Sequence, residues 1–163
     1  MTVSEEPWTS TAPEAAHIQL VQIPLAALEA LAANDLPSAR TLSGIPNLTP
    51  YTSSAAAPWV TRLVVDGGAV VGRAGFHGPP DERGMVEVGY SIDPACRRRG
   101  HARAALRVML DVAAADERVK VVRASIGPGN EASMGVVRPF GFKEVGEQWD
   151  EEDGLETILE VEV

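Results

Sequence analysis

Two groups of residues carry the chemistry: Glu87, inside the run Val86-Glu87-Val88-Gly89-Tyr90-Ser91-Ile92, and the turn Arg97-Arg98-Arg99-Gly100-His101-Ala102 with Arg103 behind it. Alternation of period two puts Glu87 and Ser91 on one face of a strand and Val86, Val88, Tyr90 and Ile92 on the other. A carboxylate set among valines is a candidate general base, since partial burial raises its pKa toward a useful value. A strand glutamate that pairs with a neighbour, binds an acceptor or faces water is the competing reading. The turn is suited to an anion: a helix N-terminus presents unpaired backbone N–H groups and the positive end of a dipole. Gly100 lets that backbone come close, and the arginines add fork-shaped donors. By itself a basic glycine turn is a weak motif, equally compatible with a solvated surface turn.

The elements around these residues must hold them in place. Asp93-Pro94 ends the strand, because proline cannot donate to the ladder and keeps the preceding residue extended. Beyond Gly100, the residues Ala102, Ala105, Leu106, Met109, Val112 and Ala113 keep helical spacing, with Arg103, Arg107 and Asp111 outside the stripe. Upstream, residues 1–16 are polar and without period, and are expected to be a flexible leader to a domain over 17–163. Ile18 to Ile23 reads as a strand, the stripe from Leu25 to Ala32 as a helix, and Pro37 to Leu42 as a second short helix. Gly44 to Pro58 is expected to be a long loop, either a wall of an acceptor pocket or a plain connector. Trp59–Asp66 and Ala69–His77 form a hairpin across Gly67-Gly68, and Val119–Ile126 is a further strand. Asn130 caps a weak helix through Arg138, and Phe142–Trp149 with Leu155–Val163 makes a last hairpin. Strands interspersed with helices predict a mixed α/β sheet covered on both faces.

Composition removes several classes of function. The chain has 163 residues, 45% of them hydrophobic, enough for one full core. A formal net charge of −9 disfavours nucleic-acid binding, which works by displacing counterions with positive charge. No apolar run is long enough to span a membrane, and the N-terminal residues lack a signal-peptide pattern, so a cytoplasmic protein is expected. Cys96 is the single cysteine, no metal-ligand spacing occurs, and neither GxGxxG nor GxxxxGK[ST] is present. Charge is polarised: Arg97, Arg98, Arg99, Arg103 and Arg107 cluster near the turn, while nine acidic residues lie between Glu144 and Glu162. One pole suits an anionic cosubstrate; the other suits a cationic acceptor or merely aids solubility.

The pattern Arg97-x-x-Gly100-x-Ala102 after the strand VEVGYSIDP resembles the acetyl-CoA motif of the GNAT superfamily of N-acyltransferases. The similarity continues through Gly78-Pro79-Pro80, Asn130-x-x-Ser133 and Gly141-Phe142. It covers about Ala27 to Val163 and is most like the RimJ/RimL branch. It implies one domain with a mostly antiparallel sheet of six to seven strands. It also implies an acetyl-CoA-dependent N-acetyltransferase, monomeric or homodimeric, acting by direct attack of a primary amine of a protein N-terminus or small molecule. An aminated antibiotic or metabolite is one such acceptor. The resemblance assigns Ile92, Arg97, Arg98, Arg99, Gly100, His101, Ala102, Arg103 and Asn130 to acetyl-CoA, with Glu87 as base. The tyrosine that many members use as general acid falls at Val137 here, and Ser133 matches the serine that replaces it in the RimL-like pattern. The missing tyrosine keeps open a second class, a catalytically inactive CoA-binding module. His77 and His101 are expected to be structural or solvent-facing.

Overall fold

Hydrophobic alternation produces seven strands among the described residues, which in this computed structural model are 6–43, 59 and 61–163. In chain order they are β1 (Ile18–Val21), α1 (Leu25–Ala32), α2 (Leu36–Ser43), β2 (Thr61–Asp66), β3 (Ala69–Phe76) and β4 (Met85–Ile92). There follow α3 (His101–Ala115), β5 (Val121–Ile126), α4 (Glu131–Val137), β6 (Lys143–Asp150) and β7 (Gly154–Glu162). Short 3-10 turns occupy Pro94–Cys96 and Arg138–Phe140. The loop expected over Gly44 to Pro58 lies outside the described residues.

One sheet carries all seven strands in the order β1-β2-β3-β4-β5-β7-β6. Five of its ladders are antiparallel, and β4 with β5 is the parallel one. Residue alternation sorts the two cores. Val64 belongs to the large cluster under α3 and α4, with Val86, Val88, Leu106 and Met109, whereas Leu63 joins Ile23, Ala27, Leu31 and Ala39 beneath α1 and α2. Neighbouring residues of a strand point to opposite faces, so helices cover both sides of the sheet, as expected.

The β4–β5 ladder is short. It pairs Met85, Val86 and Glu87 with Val121, Val122 and Arg123, and beyond those residues the two strands no longer pair. The separation leaves a gap between Val88–Tyr90 and Ala124–Ile126 in the middle of the sheet.

The segment before β1 departs from the expected flexible leader. Trp8 is 4% exposed and Ala15 fully buried, and Trp8 makes an isolated bridge with Leu20. The Trp8 ring lies 5.5 Å from that of Phe76, and the Arg62 guanidinium sits over the Trp8 ring, 3.6 Å from its centre. Arg62 is itself fully buried, donating to the carbonyls of Glu6 and Leu20 and to Gln22 Oε1. An aromatic face, a cation and an added backbone pairing outweigh the polar composition of the segment, so residues 8–15 are part of the domain.

Candidate active site

The turn after β4 is held from below. Arg97 turns its Nε back to the Ile92 carbonyl at 3.0 Å, tying the arginine run to the end of the strand. Arg98 adopts a positive φ of 63°, uncommon for a residue with a side chain, and Gly100 sits at φ 80° and ψ 9° as the N-cap of α3. No side chain caps that helix, so its first N–H groups remain open. A Cβ built on Gly100 would meet no atom within 4 Å, because the residue borders a cavity of about 770 Å³. That cavity is lined by Ile92, Arg97, Arg98, Gly100, His101, Ala102 and Arg103 on one side and by Asn130 and Ser133 on the other. Arg99 is exposed and is not one of its lining residues.

The His101 side chain has the structural role expected of it. Its imidazole is buried, with Nδ1 3.0 Å from the Cys96 carbonyl and Nε2 2.9 Å from Asp66 Oδ2. Both ring nitrogens are engaged by the protein, so the residue braces the turn against the end of β2, and its contribution to the cavity is the wall it forms.

A second cavity of about 560 Å³ fills the gap between β4 and β5. Glu87 lies at its floor. Its Oε2 is 2.7 Å from His77 Nδ1 and its Oε1 accepts the Ser125 hydroxyl at 2.6 Å. Gln148 extends the network, donating to Ser125 Oγ and to Glu156 Oε1. The side chain of Glu87 is 24% exposed, that of His77 56%. Burial pushes the Glu87 carboxyl up, as the sequence suggests, but the His77 hydrogen bond pulls the other way and wins, helped by Ser125 and by the charges of His77 and Arg123. Glu87 is therefore held below its ordinary range, which corrects the expectation of a raised value. His77 moves up, chiefly through that same hydrogen bond, with burial opposing and the charges of Glu87 and Glu156 assisting.

Tyr90, Asn130 and Ser133 border both cavities. Asn130 caps α4, its Oδ1 accepting the Ser133 N–H at 3.1 Å. Val137 is fully buried in the core. The phenol at the junction comes instead from β4: Tyr90 hydrogen-bonds with Ser133, and burial raises its pKa above the ordinary phenol value. Alternation assigns Tyr90 to the apolar face, and its ring does pack partly against the core. Its placement at the junction depends on where β5 leaves β4, for which a single strand's sequence carries no signal. His77 is the other residue that sequence reasoning discounts. It lies across from Glu87, donating its backbone N–H to the Glu87 carbonyl at 2.8 Å. A pairing between β3 and β4 in register would have revealed it.

A central strand thus separates from its parallel neighbour and feeds a glycine turn into a helix. A family model described as "Acetyltransferase (GNAT) domain" matches residues 25–143, and the chain belongs to that family. The chain is 33% identical over 73 residues to a Bacillus subtilis (strain 168) protein named "Uncharacterized N-acetyltransferase YjdG". That match spans 45% of this chain and 44% of the relative, less than half of either. Among solved structures, Mycobacterium smegmatis RimJ in complex with CoA-disulfide aligns over 96% of this chain and 85% of its own, with a TM-score of 0.65 and 16% identity. Mutant forms of the spermidine/spermine N-acetyltransferase SpeG from Vibrio cholerae align over 63% of each chain, with a TM-score of 0.57 and 16% identity.

Proposed function

We propose that this chain transfers the acetyl group of acetyl-CoA to a primary amine by direct attack, and that it belongs to the RimJ/RimL-like branch. The meeting of two cavities of opposite character at Tyr90, Asn130 and Ser133 carries the reading. The basic cavity has open helix N–H groups, a bare Gly100 and Arg97, Arg98 and Arg103 for a pyrophosphate, and room for a pantetheine arm running toward Asn130. The other cavity is lined by Glu87, Asp150, Asp153 and Glu156 and suits a cationic acceptor. The near full-length fold match to RimJ supports the branch. No helix among the described residues is long and apolar enough to cross a membrane. We place the chain in the cytoplasm as a monomer or homodimer with a small-molecule or peptide amine as its partner.

A free amine has a pKa of about 8 to 10.4, so at neutral pH it arrives as an ammonium ion and the Glu87 network must take a proton before attack. The amine lone pair then adds to the thioester carbonyl; a C–N bond forms and the C–S bond breaks. The departing thiolate takes a proton from the Tyr90–Ser133 pair, which regains one from the acetylated nitrogen. Burial keeps Tyr90 protonated for this task, and its presence answers the loss of the usual tyrosine at Val137. Tyr90→Phe keeps the ring and removes the proton. It is expected to lower kcat by roughly tenfold to a hundredfold while leaving acetyl-CoA affinity unchanged. Steady-state kinetics with calorimetry checks this; an unchanged kcat would mean that the thiolate leaves unassisted.

A further inference from the structure

Resting on that acetyl-transfer reading, the hydrogen bonds along the wall of the acidic cavity identify where the acceptor's cation is held. The wall is a directional chain. His77 Nδ1 and the Ser125 hydroxyl each donate to Glu87, occupying both of its oxygens. Gln148 gives one amide hydrogen to Ser125 Oγ at 3.2 Å and the other to Glu156 Oε1 at 3.0 Å. Arg123, on the same sheet face, turns its guanidinium to Glu160 at 2.6 and 2.8 Å. The chain therefore ends at Glu156, and it ends on an acceptor. Glu156 is 8% exposed, and among the described residues its carboxylate takes one hydrogen bond, from a neutral amide, and no ion pair. Its Oε2 accepts nothing there and is not sealed from solvent. A carboxylate so deeply buried is costly to leave without a counter-charge, and the cavity that it lines is the space from which one can enter. An ammonium group, with three donors and no acceptor, matches what this end of the wall lacks.

We propose that Glu156 is the residue that recognises the acceptor, its Oε2 receiving the ammonium group that is to be acetylated. Strand register supports this over Glu87. Counted along the parallel strands from the Glu87–Arg123 pair, Tyr90 is level with Ile126, and Ile126 pairs with Thr157, the neighbour of Glu156. Glu156 is therefore within one residue of the Tyr90 level, whereas Glu87 stands three residues back, roughly 10 Å along the strand. Tyr90 and Ser133 border both cavities, so that level is where the thioester meets the amine. Once the ammonium has lost a proton, a remaining N–H keeps its bond to Oε2 and the lone pair is left for the carbonyl carbon. The arrangement selects primary amines twice over, by charge and by the N–H donors that a fully alkylated nitrogen lacks.

The test titrates a responsive primary amine into protein saturated with CoA, where no acetyl group is available, alongside steady-state kinetics with acetyl-CoA. Glu156→Gln keeps the length of the side chain and the bond from Gln148 but removes the charge. It is expected to weaken amine binding by roughly tenfold to a hundredfold, with acetyl-CoA affinity and melting temperature near those of wild type. Glu156→Asp keeps the charge but draws it back, and is expected to fall between the two. Glu87→Gln is expected to bind the amine nearly as wild type does and to lose kcat instead. On the wild-type protein, the trimethylated analogue of the same amine is expected to compete about tenfold or more weakly, since it carries the charge without an N–H donor. Unchanged amine affinity in Glu156→Gln would overturn the proposal, as would equal competition by the trimethylated analogue. A loss seen with diamines but not with monoamines would also overturn it, by giving Glu156 a second cation rather than the reacting one. Each of these results leaves acetyl transfer standing. Wild type that binds acetyl-CoA but acetylates no amine overturns the transfer reading, and this one with it.

Discussion

Gly100→Val is expected to lower acetyl-CoA affinity by about a hundredfold or more, seen by calorimetry as the loss of a measurable heat of binding. Charge-assisted hydrogen bonds contribute about 1.5–3 kcal/mol each, and each 1.4 kcal/mol is a factor of ten in affinity, so two N–H contacts pushed away suffice. The position separates ligand effects from packing effects. A Cβ on Gly100 meets no protein atom within 4 Å, so the added bulk enters the open space of the cavity that Gly100 lines. The left-handed backbone at φ 80° does impose strain on valine, of order 1–3 kcal/mol, and thermal melting should register it. Gly100→Ala carries much of the same strain with less bulk, so a larger affinity loss in the valine variant isolates the steric effect. Unchanged affinity in Gly100→Val would mean that the pyrophosphate binds elsewhere.

Trp8→Ala is expected to destabilise the fold by about 3–5 kcal/mol, the range for removing a buried aromatic ring. The ring is 4% exposed, packs on Phe76 and covers the buried guanidinium of Arg62, so truncation leaves both a cavity and a cation without its aromatic face. Urea denaturation gives the value directly. A midpoint equal to wild type would restore the expected flexible leader. That leader is a natural inference from a lone tryptophan among polar residues with no period, because its partners lie at Leu20, Arg62 and Phe76, far away in the chain. Arginine, moreover, is a residue type that argues for the surface.

The same division between local and distant signals runs through the site. The β4–turn–α3 unit was legible because both of its periods and its punctuation, Asp93-Pro94 and Gly100, lie within one stretch of sequence. The seven-stranded mixed sheet was legible from the count and spacing of strand runs. The parting of β4 from β5 after Glu87 and Arg123 was not, since register between strands so far apart leaves no local trace. That gap hides the partners of two residues: Tyr90 reads from its own strand as an apolar-face residue, and Glu87 as a carboxylate with a raised pKa, because its nearest visible neighbours are valines rather than an imidazole. The acidic C-terminal stretch also divides in space. Asp150, Asp153 and Glu156 line the cavity beside Glu87, while Glu160 pairs with Arg123 at 2.6 Å and Glu144 with Arg138 at 3.8 Å. Only part of that negative charge is thus positioned to select a substrate.

The most direct test of acetyl transfer is release of free thiol from acetyl-CoA by the wild-type protein across a panel of primary amines, with mass spectrometry of each amine. Polyamines and basic peptide N-termini should be acetylated faster than neutral or acidic amines, and the preference should narrow as salt screens the cavity, exposed charges acting over about 8 Å at physiological ionic strength. Tight CoA binding without acetylation of any amine in the panel would contradict the acetyltransferase reading and make the protein a CoA-binding module.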